Sequence, residues 1–292
     1  MIEIAELFNN LEDKFTVAQD ETLKQGVDIK ESFKFDELKM YFGEDYWVTD
    51  KICIKQPTIG QILEYGDNEF YSVISVLCSN PTSFRLQLWN KGIDWNEISD
   101  FELFTSLIQG MTPNETSLLF GDLDLSKFHK FHDDYRDCDL LVYLPQDEFG
   151  DLIPISDLKD TIIIDEYLYL KIVAYLKKMF DINPKIEHAK NKATKKAMIW
   201  EDEMNLQNDK NKGGNKNKSF LLPLVSSLVN HPGFKYKTNE LKDIGIYQFM
   251  DSAKRLQVYE STTALMKGMY SGFVDGSHLK DRDLNWMRDL SE

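Results

Sequence analysis

A short segment, FHKFHDDYRDC, brings together the side chains of this chain that are most able to do chemistry. It contains two histidines, two adjacent aspartates and a cysteine, namely His129, His132, Asp133, Asp134 and Cys138. Histidines three residues apart on a helix can share a metal ion, and an acid can complete the coordination. The neighbouring phenylalanines instead favour ordinary packing of an aromatic turn, and no second ligand cluster with a recognised spacing occurs. We therefore expect no metal and no cofactor, and a metal-binding protein or enzyme that uses the His129–Cys138 cluster stays an alternative.

Nucleophilic catalysis needs a serine or cysteine beside a histidine and an orienting acid. Cys78 lies on the apolar face of a predicted helix, where thiols are usually inert core residues. The acid pair Asp165-Glu166 opens another predicted helix, and its charge is explained by the helix N-terminus that it stabilises. We therefore predict that the chain is not an enzyme, and we assign no catalytic residue.

Methionine and aromatic side chains recur at helical spacing near the C-terminal end of the sequence. Such spacing usually indicates a small helical core, but the same residue types also form adaptable surfaces that bind other helices. The two interpretations overlap if the chain exposes part of this core until a partner arrives. The candidate partner-binding residues are Phe249, Met250, Met266, Met269, Tyr270, Trp286 and Met287.

Repeated start and stop signals predict short helices between residues 58 and 121. Thr58 and Ser99 are each followed three residues later by Gln or Glu, which is the spacing of a capping box. Glycines such as Gly66 and Gly110 then end the predicted helices. Farther along, DEYLYLKIVAYLKKMF has acids at its start and lysines near its end, so it predicts a longer helix.

One region predicts β structure instead. Residues 139–144 (DLLVYL) and 152–155 (LIPI), separated by a turn-like PQDEFGD, predict a small β-hairpin near 139–155. Two prolines, Pro145 and Pro154, confine such a hairpin to an edge or a short ribbon.

The composition changes abruptly near residue 205. Residues 205–218 read NLQNDKNKGGNKNK, which has too little apolar content to offset the entropy cost of ordering. We therefore predict an acidic helical body over residues 1–203, a flexible linker over 204–218 and a C-terminal helical module over 219–292. Within the module, residues 219–230, 246–259 and 262–270 are expected to be helical. The predicted fold class is mainly α, with one small β-hairpin.

The charge is unevenly distributed along the chain. The net charge is −15, yet residues 204–292 hold 13 of the 34 lysines and arginines and only 10 of the 49 acids. The excess negative charge therefore lies in residues 1–203, where it disfavours nucleic-acid binding and also fits a simple solvated surface. Three widely spaced cysteines favour a reducing compartment. We expect neither a signal peptide nor a membrane helix, because the N-terminus is acidic and the longest apolar run is short.

Three stretches together resemble proteins that bacteriophages and prophages of Gram-positive bacteria encode among their virion structural genes. The first begins KQPTIGQILEYGDNEFYSVISVLCSNP, the second is LVYLPQDEFGDLIPI with NKATKKA after it, and the third begins LLPLVSSLVNHPGFKY. The third continues through IYQFMDSAKRLQ, MKGMYSGFVD and LNWMRDL. These are packing motifs, so the resemblance carries over no functional residue.

Within that group, the chain is most similar to tail assembly chaperones. Such proteins are acidic, helical and cytoplasmic, and in many phages a longer form, made by translational frameshifting, carries an extension joined through a linker. The resemblance implies a non-enzymatic morphogenesis protein that binds a helical tape-measure protein in the host cytoplasm. Self-association into a homo-oligomer is a further candidate, with neither nucleic acid nor membrane as a partner. The alternative is a virion structural component, such as an adaptor or a minor head or tail protein.

Overall fold

The computed structural model describes residues 33–133, 137–144, 161–211 and 218–290. These residues are mainly helical with two small antiparallel sheets, which confirms the predicted fold class. Within the described ranges, the chain forms two compact units. The first comprises residues 33–36, 45–55, 71–133, 137–144 and 161–211, and the second comprises residues 37–44, 56–70 and 218–290.

The helices are named here in chain order. They are α1 (Glu37–Tyr41), α2 (Ile59–Tyr65), α3 (Asp67–Leu77), α4 (Arg85–Asn90), α5 (Asp100–Ile108), α6 (Pro113–Phe120), α7 (Glu166–Phe180), α8 (Lys192–Asn211), α9 (Leu221–Val229) and α10 (Ile246–Tyr270). The strands are β1 (Tyr46–Trp47), β2 (Cys53–Ile54), β3 (Phe128–Asp133), β4 (Cys138–Tyr143) and β5 (Ile163–Ile164). None of the helices in the described part of the chain combines the length and apolar character needed to cross a bilayer.

The predicted capping signals form as expected. The Thr58 hydroxyl accepts a hydrogen bond from the Gln61 amide while the Gln61 side chain accepts one from the Thr58 amide, which closes a capping box on α2. Ser99 and Glu102 make the same reciprocal pair at the start of α5. Each box satisfies backbone donors that the first helical turn leaves without intrahelical partners.

The hairpin of the first unit has a different partner strand from the predicted one. β4 pairs with β3 in antiparallel register from Phe128 opposite Tyr143 to Asp133 opposite Cys138, and β5 pairs with the other edge of β4. The connection between β3 and β4 therefore precedes residue 139, and the predicted turn after residue 144 lies outside the described residues. Residues 152–155, the predicted second strand, lie outside the described residues. The strand between residues 128 and 133 was not predicted, because its mixture of aromatic and charged residues resembles a short aromatic turn.

Aromatic side chains form the centre of the first unit. The ring centroid of Tyr169 on α7 lies 5.4 Å from that of Phe101 and 4.7 Å from that of Phe104, both on α5. Ile172 and Leu176 extend this buried face of α7 and are almost completely excluded from solvent. The face follows the apolar spacing that the sequence shows over residues 165–180.

A second cluster in the first unit anchors the start of α8. Ile199 packs in a core with Leu88, Trp95, Leu103 and Ala189. Beyond it the helix continues to Asn211, so residues 204–211 are helical although their composition predicts a mobile linker. The anchored first half supplies the costly helix nucleus, and no glycine or proline interrupts the helix before Gly213. The predicted boundaries of body, linker and module stay predictions.

The second unit combines residues 218–290 with two segments from much earlier in the sequence, residues 37–44 and 56–70. The Ile59 amide donates to the Ile244 carbonyl at 2.9 Å, and the Ile246 amide donates to the Pro57 carbonyl at 3.0 Å. Asp67 accepts hydrogen bonds from the Ser219 hydroxyl at 2.6 Å and the Leu221 amide at 3.1 Å. Residues 56–70, which the sequence assigns to the body, therefore complete the core around α9 and α10.

One long helix dominates the second unit. α10 runs for 25 residues without interruption, whereas the sequence predicts two helices separated near residues 260–261. Glu260 and Ser261 are compatible with a helix interior, and no proline occurs between Ile246 and Tyr270. The helix therefore continues through the predicted break and ends before Gly272, which has φ +75°.

Candidate protein-interaction surface

The seven predicted partner-binding residues all lie on α10 or in the residues that follow it, within the second unit. They divide by exposure. Phe249 is 1% exposed and belongs to the core, and Met250 and Met269 are half-buried. The remaining four are exposed: Met266 (37%), Tyr270 (85%), Trp286 (43%) and Met287 (70%). Their role in partner binding stays a prediction.

The two halves of α10 are buried to different degrees. In the first half, Ile246 and Phe249 are essentially inaccessible to solvent, and they fix this end of the helix in the second unit. In the second half Thr262 alone is classed as buried, at 2% exposed. Large apolar side chains of this second half therefore lie at the surface. Monomeric proteins seldom expose a group of such side chains unless the group binds a partner or ligand.

Residues 274–290 cover one flank of the second half of α10. Arg255 donates hydrogen bonds through Nη1 to the carbonyls of Trp286 (3.2 Å) and Arg288 (2.7 Å), and Thr262 Oγ1 donates to the Asp283 carbonyl at 3.3 Å. Gly268 allows a close approach, because a Cβ there would lie 2.6 Å from Val274 Cγ2. The C-terminal residues are thus held against this flank by backbone and side-chain contacts together.

A stripe of side chains beside this flank is exposed at three of its four positions, and the fourth, Thr263, is half-buried. Tyr259, Thr263, Met266 and Tyr270 are spaced four, three and four residues apart, so they lie along one side of the helix. We call these four residues the α10 stripe. Tyr259 is 43% exposed, and its ring contacts Trp286 edge-on with centroids 5.7 Å apart. Phe273, at 90% exposed, is the third residue after the end of the helix.

Sequence reasoning missed Tyr259, Thr263 and Phe273 as members of this surface. The signal was present, because the alternating spacing of three and four residues continues from 259 to 273. A helix break placed near Glu260 concealed it, since residues on separate helices do not share a stripe.

The ionisable groups of α10 follow two patterns. Near its start, burial raises the pKa of Tyr247 to about 12 and also raises the pKa of Asp251, so these groups are held against their own unit. Beside the α10 stripe, Glu260 and Lys267 are exposed. Glu260 Oε1 lies 3.4 Å from His231 Nε2. Charges of both signs therefore border the stripe.

The described part of the histidine-rich segment places its two histidines on opposite faces of a strand. His129 and His132 lie on strand β3 and not on a helix, and residues three apart on a strand point to opposite faces. His132 Nδ1 lies 3.0 Å from Asp139 Oδ1, and Lys130 Nζ donates to Asp139 Oδ2 at 2.7 Å. The hydrogen bond from Lys130 lowers the pKa of Asp139. Across the described ranges, no three His, Cys, Asp or Glu side chains are grouped to hold a metal ion. Asp134 lies outside those ranges.

The other candidate groups have structural roles. Cys78 is buried, and burial raises the pKa of its thiol to about 12, which opposes formation of a nucleophilic thiolate. Asp165 is the N-cap of α7, where its Oδ1 accepts a hydrogen bond from the Leu168 amide at 2.8 Å. The adjacent Glu166 lies in the first turn of the same helix, as its charge predicts.

A second exposed apolar area lies on α8 of the first unit. Trp200 (64% exposed) and Met204 (38%) are four residues apart and therefore share a side of the helix, and Leu206 is 48% exposed. Sequence reasoning assigned Met204 and Leu206 to the linker and gave none of the three a binding role.

Comparison with known families adds a finding for the second unit. Residues 214–291 match the family model described as the YomV second domain. The matched range includes α9, α10 and the C-terminal residues that border the α10 stripe. This similarity suggests a phage-associated protein. No curated protein and no solved structure is similar enough to the chain to count as a match.

Proposed function

We propose that this chain is a non-enzymatic phage morphogenesis protein, a tail assembly chaperone that binds a helical tail protein of the tape-measure type. The observation that carries the proposal is the exposed apolar surface of the second unit, which comprises Tyr259, Met266, Tyr270, Phe273, Trp286 and Met287. That surface lies within residues 214–291, the range similar to the YomV second domain.

The chemistry of this surface suits an amphipathic helix as the partner. A helix in a groove contacts its receptor through apolar side chains spaced three and four residues apart, and the α10 stripe has the same spacing. Methionine side chains adapt to differently shaped partners, while tyrosines add apolar area with few rotatable bonds. Transient binding of a long, aggregation-prone helix therefore needs no bond-making groups.

The exposed side chains of α8 offer a second contact. Trp200 and Met204 belong to the first unit, so each unit carries an exposed apolar area of its own. When one weak site on a polypeptide has bound a partner, the partner's effective concentration at the second site rises. Two weak sites together therefore give reversible binding that is tighter than either site alone.

The proposal is tested by affinity capture of the tagged chain from cells in which the phage is being assembled. We expect the tape-measure protein among the captured proteins, and we expect the double variant Tyr270→Ser, Phe273→Ser to recover at least about fivefold less of it. Ile186→Ser, which alters a 57% exposed apolar residue in the first unit, is the matched control. Capture of no virion structural protein with the unaltered chain would refute the proposal.

A virion component is the alternative that one further measurement separates. Mass spectrometry of purified particles should not detect a chaperone, because it leaves before assembly is complete. A fixed number of copies per particle would instead identify the chain as a structural component.

A further inference from the structure

We propose that two copies of this chain pair through the α10 stripe, with the two α10 helices antiparallel. This dimer goes beyond the proposed function, and it is linked to that function only through the surface that both use. Because the same side chains would bind a tail protein, the pair is the form that exists before that partner binds.

The spacing of the α10 stripe is that of a coiled-coil seam. Tyr259 and Met266 lie seven residues apart, as do Thr263 and Tyr270, so the four residues occupy the two seam positions of successive heptads. From residue 259 to residue 270 the seam is about 17 Å long at 1.5 Å per residue. Such a length is short for a coiled coil, so we expect a reversible dimer and not a permanent one.

An antiparallel arrangement makes this seam self-complementary. Seam residues of one helix then face those of the other in the order Tyr259 opposite Tyr270 and Thr263 opposite Met266, and the twofold axis repeats both pairings. Large side chains meet at the two ends of the seam, and the smaller Thr263 faces the flexible Met266 near its centre. Trp286, whose ring packs against Tyr259, widens the apolar area that faces Tyr270 of the second copy.

The charges beside the seam complement each other in the same register. Glu260 follows Tyr259 and Lys267 follows Met266, so both lie on the same border of the α10 stripe. In the antiparallel pair this border of one helix meets the same border of the other, and Glu260 of each copy faces Lys267 of the second. Each dimer therefore contains two such ion pairs. Within one chain the two residues are seven apart, about 10 Å along the helix axis, and cannot form the pair themselves.

The other border of the α10 stripe, which carries Arg255 and Thr262, disfavours a parallel pair. A parallel pair would set Arg255 of one helix against Glu260 of the other, but Arg255 already donates to the carbonyls of Trp286 and Arg288. Thr262, on the same border, is buried and bonded to the Asp283 carbonyl. Because Arg255 is bonded within its own chain, a parallel pair gains no ion pair from it, whereas the antiparallel pair gains the Glu260–Lys267 pairs on the exposed border.

Sedimentation equilibrium of the full chain, from about 2 to 200 μM, tests the inference. We expect a monomer–dimer equilibrium with a Kd in the micromolar range. Met266→Glu should raise the Kd at least about 30-fold, because it places two negative charges in the centre of the seam. Helix content and thermal unfolding should match the unaltered chain, since Met266 is exposed. A chain that stays monomeric up to 200 μM, or a dimer that tolerates Met266→Glu, would overturn the proposal.

Charge reversal tests the antiparallel register. Glu260→Lys and Lys267→Glu alone should each raise the Kd about tenfold, because two attractive pairs become repulsive. The double variant should return to within about threefold of the unaltered Kd, while Lys235→Glu, an exposed reversal outside α10, should leave it unchanged. A double variant that dimerises no better than either single variant would overturn the antiparallel pairing. Because these measurements need no phage component, they can fail while the capture experiment succeeds, and the reverse also holds.

Discussion

Arg85 is the residue whose loss should most directly release α8 from the first unit. Its Nε and Nη2 donate to the two carboxylate oxygens of Asp202 at 2.5 and 2.6 Å, and its Nη1 donates to Glu187 at 2.5 Å. The Arg85 side chain is only 11% exposed. The hydrogen bonds to Asp202 are the largest of the effects that raise the pKa of the Arg85 guanidinium, so this group stays charged. It therefore clamps the start of α4 to the middle of α8.

The magnitude follows from this geometry. A hydrogen bond to a charged group contributes about 1.5–3 kcal/mol when it is desolvated, and a bidentate pair is among the stronger cases. Asp202 is 24% exposed and Glu187 is 40% exposed, so solvent screening weakens all three bonds. We therefore expect Arg85→Met to lower the free energy of opening α8 by about 2–3 kcal/mol in total. Arg85→Lys should lose roughly half as much, because an ammonium group cannot make the bidentate contact.

Hydrogen exchange of the α8 amides measures this opening locally. A loss of about 2–3 kcal/mol corresponds to exchange about 30- to 150-fold faster, with α9 and α10 unaffected. Lys196→Met removes an exposed positive charge from α8 itself and should change exchange by less than about threefold. If Arg85→Met left the α8 amides as protected as they are in the unaltered chain, the clamp would have no energetic role.

Three further predictions concern other parts of the chain. Burial tends to raise the pKa of Asp67, but hydrogen bonds from Ser219 and backbone amides outweigh it and lower that pKa. Asp67→Asn should therefore destabilise the second unit by about 1–2 kcal/mol at pH 7 in urea titrations. The difference should begin to shrink as the pH falls below about 4, the ordinary pKa of an aspartate, and should be lost only below the lowered pKa of the folded carboxyl; a difference that does not shrink at all as the pH is lowered from 7 to about 2 contradicts this. At pH 8, Cys78 should react with a thiol reagent at least about 100-fold more slowly than Cys53, and equal rates would contradict its burial. Phe249→Ala should cost about 3–5 kcal/mol of unfolding free energy and Met287→Ala less than about 0.5 kcal/mol, and similar losses would contradict their different exposures.

The sequence predicted best those features whose causes are local. The capping pairs at Thr58 and Ser99 each lie within four residues, so their meaning does not depend on the rest of the fold. The α7 helix was predicted for the same reason, since the Asp165 cap and the apolar face are contained in one segment. The mainly α fold class follows from many such segments taken together.

Features that depend on distant residues were not predicted. β3 is identified as a strand only by its pairing with β4, whose residues also carry the apolar pattern. Residues 56–70 join the second unit through contacts with residues about 150 to 190 positions later, such as Asp67 with Ser219 and Ile59 with Ile244. No periodicity within either segment encodes such a contact.

The surface of α10 was predicted in part, for a physical reason. The sequence identified its methionine and aromatic residues but could not separate those in the core from those at the surface. Phe249 and Tyr270 each occur at helical spacing from other apolar residues, so the spacing alone does not distinguish them. Their exposures, 1% and 85%, are set by tertiary packing, because α1 contacts α10 and its Glu37 lies near Tyr247 and Asp251 in the first half of the helix. The helix break predicted near Glu260 also prevented recognition of the α10 stripe, because it placed the stripe residues on two separate helices.

The division of α10 into a buried half and an exposed half bears directly on binding. Ordering a free helix on association costs conformational entropy, which is subtracted from the affinity. Here that cost is met during folding, because Ile246 and Phe249 fix the helix in the core and the uninterrupted backbone carries that order to Tyr270. The exposed side chains of Tyr259, Met266 and Tyr270 are therefore already aligned when they meet a second helix, and even a seam of about three turns can bind at micromolar concentrations.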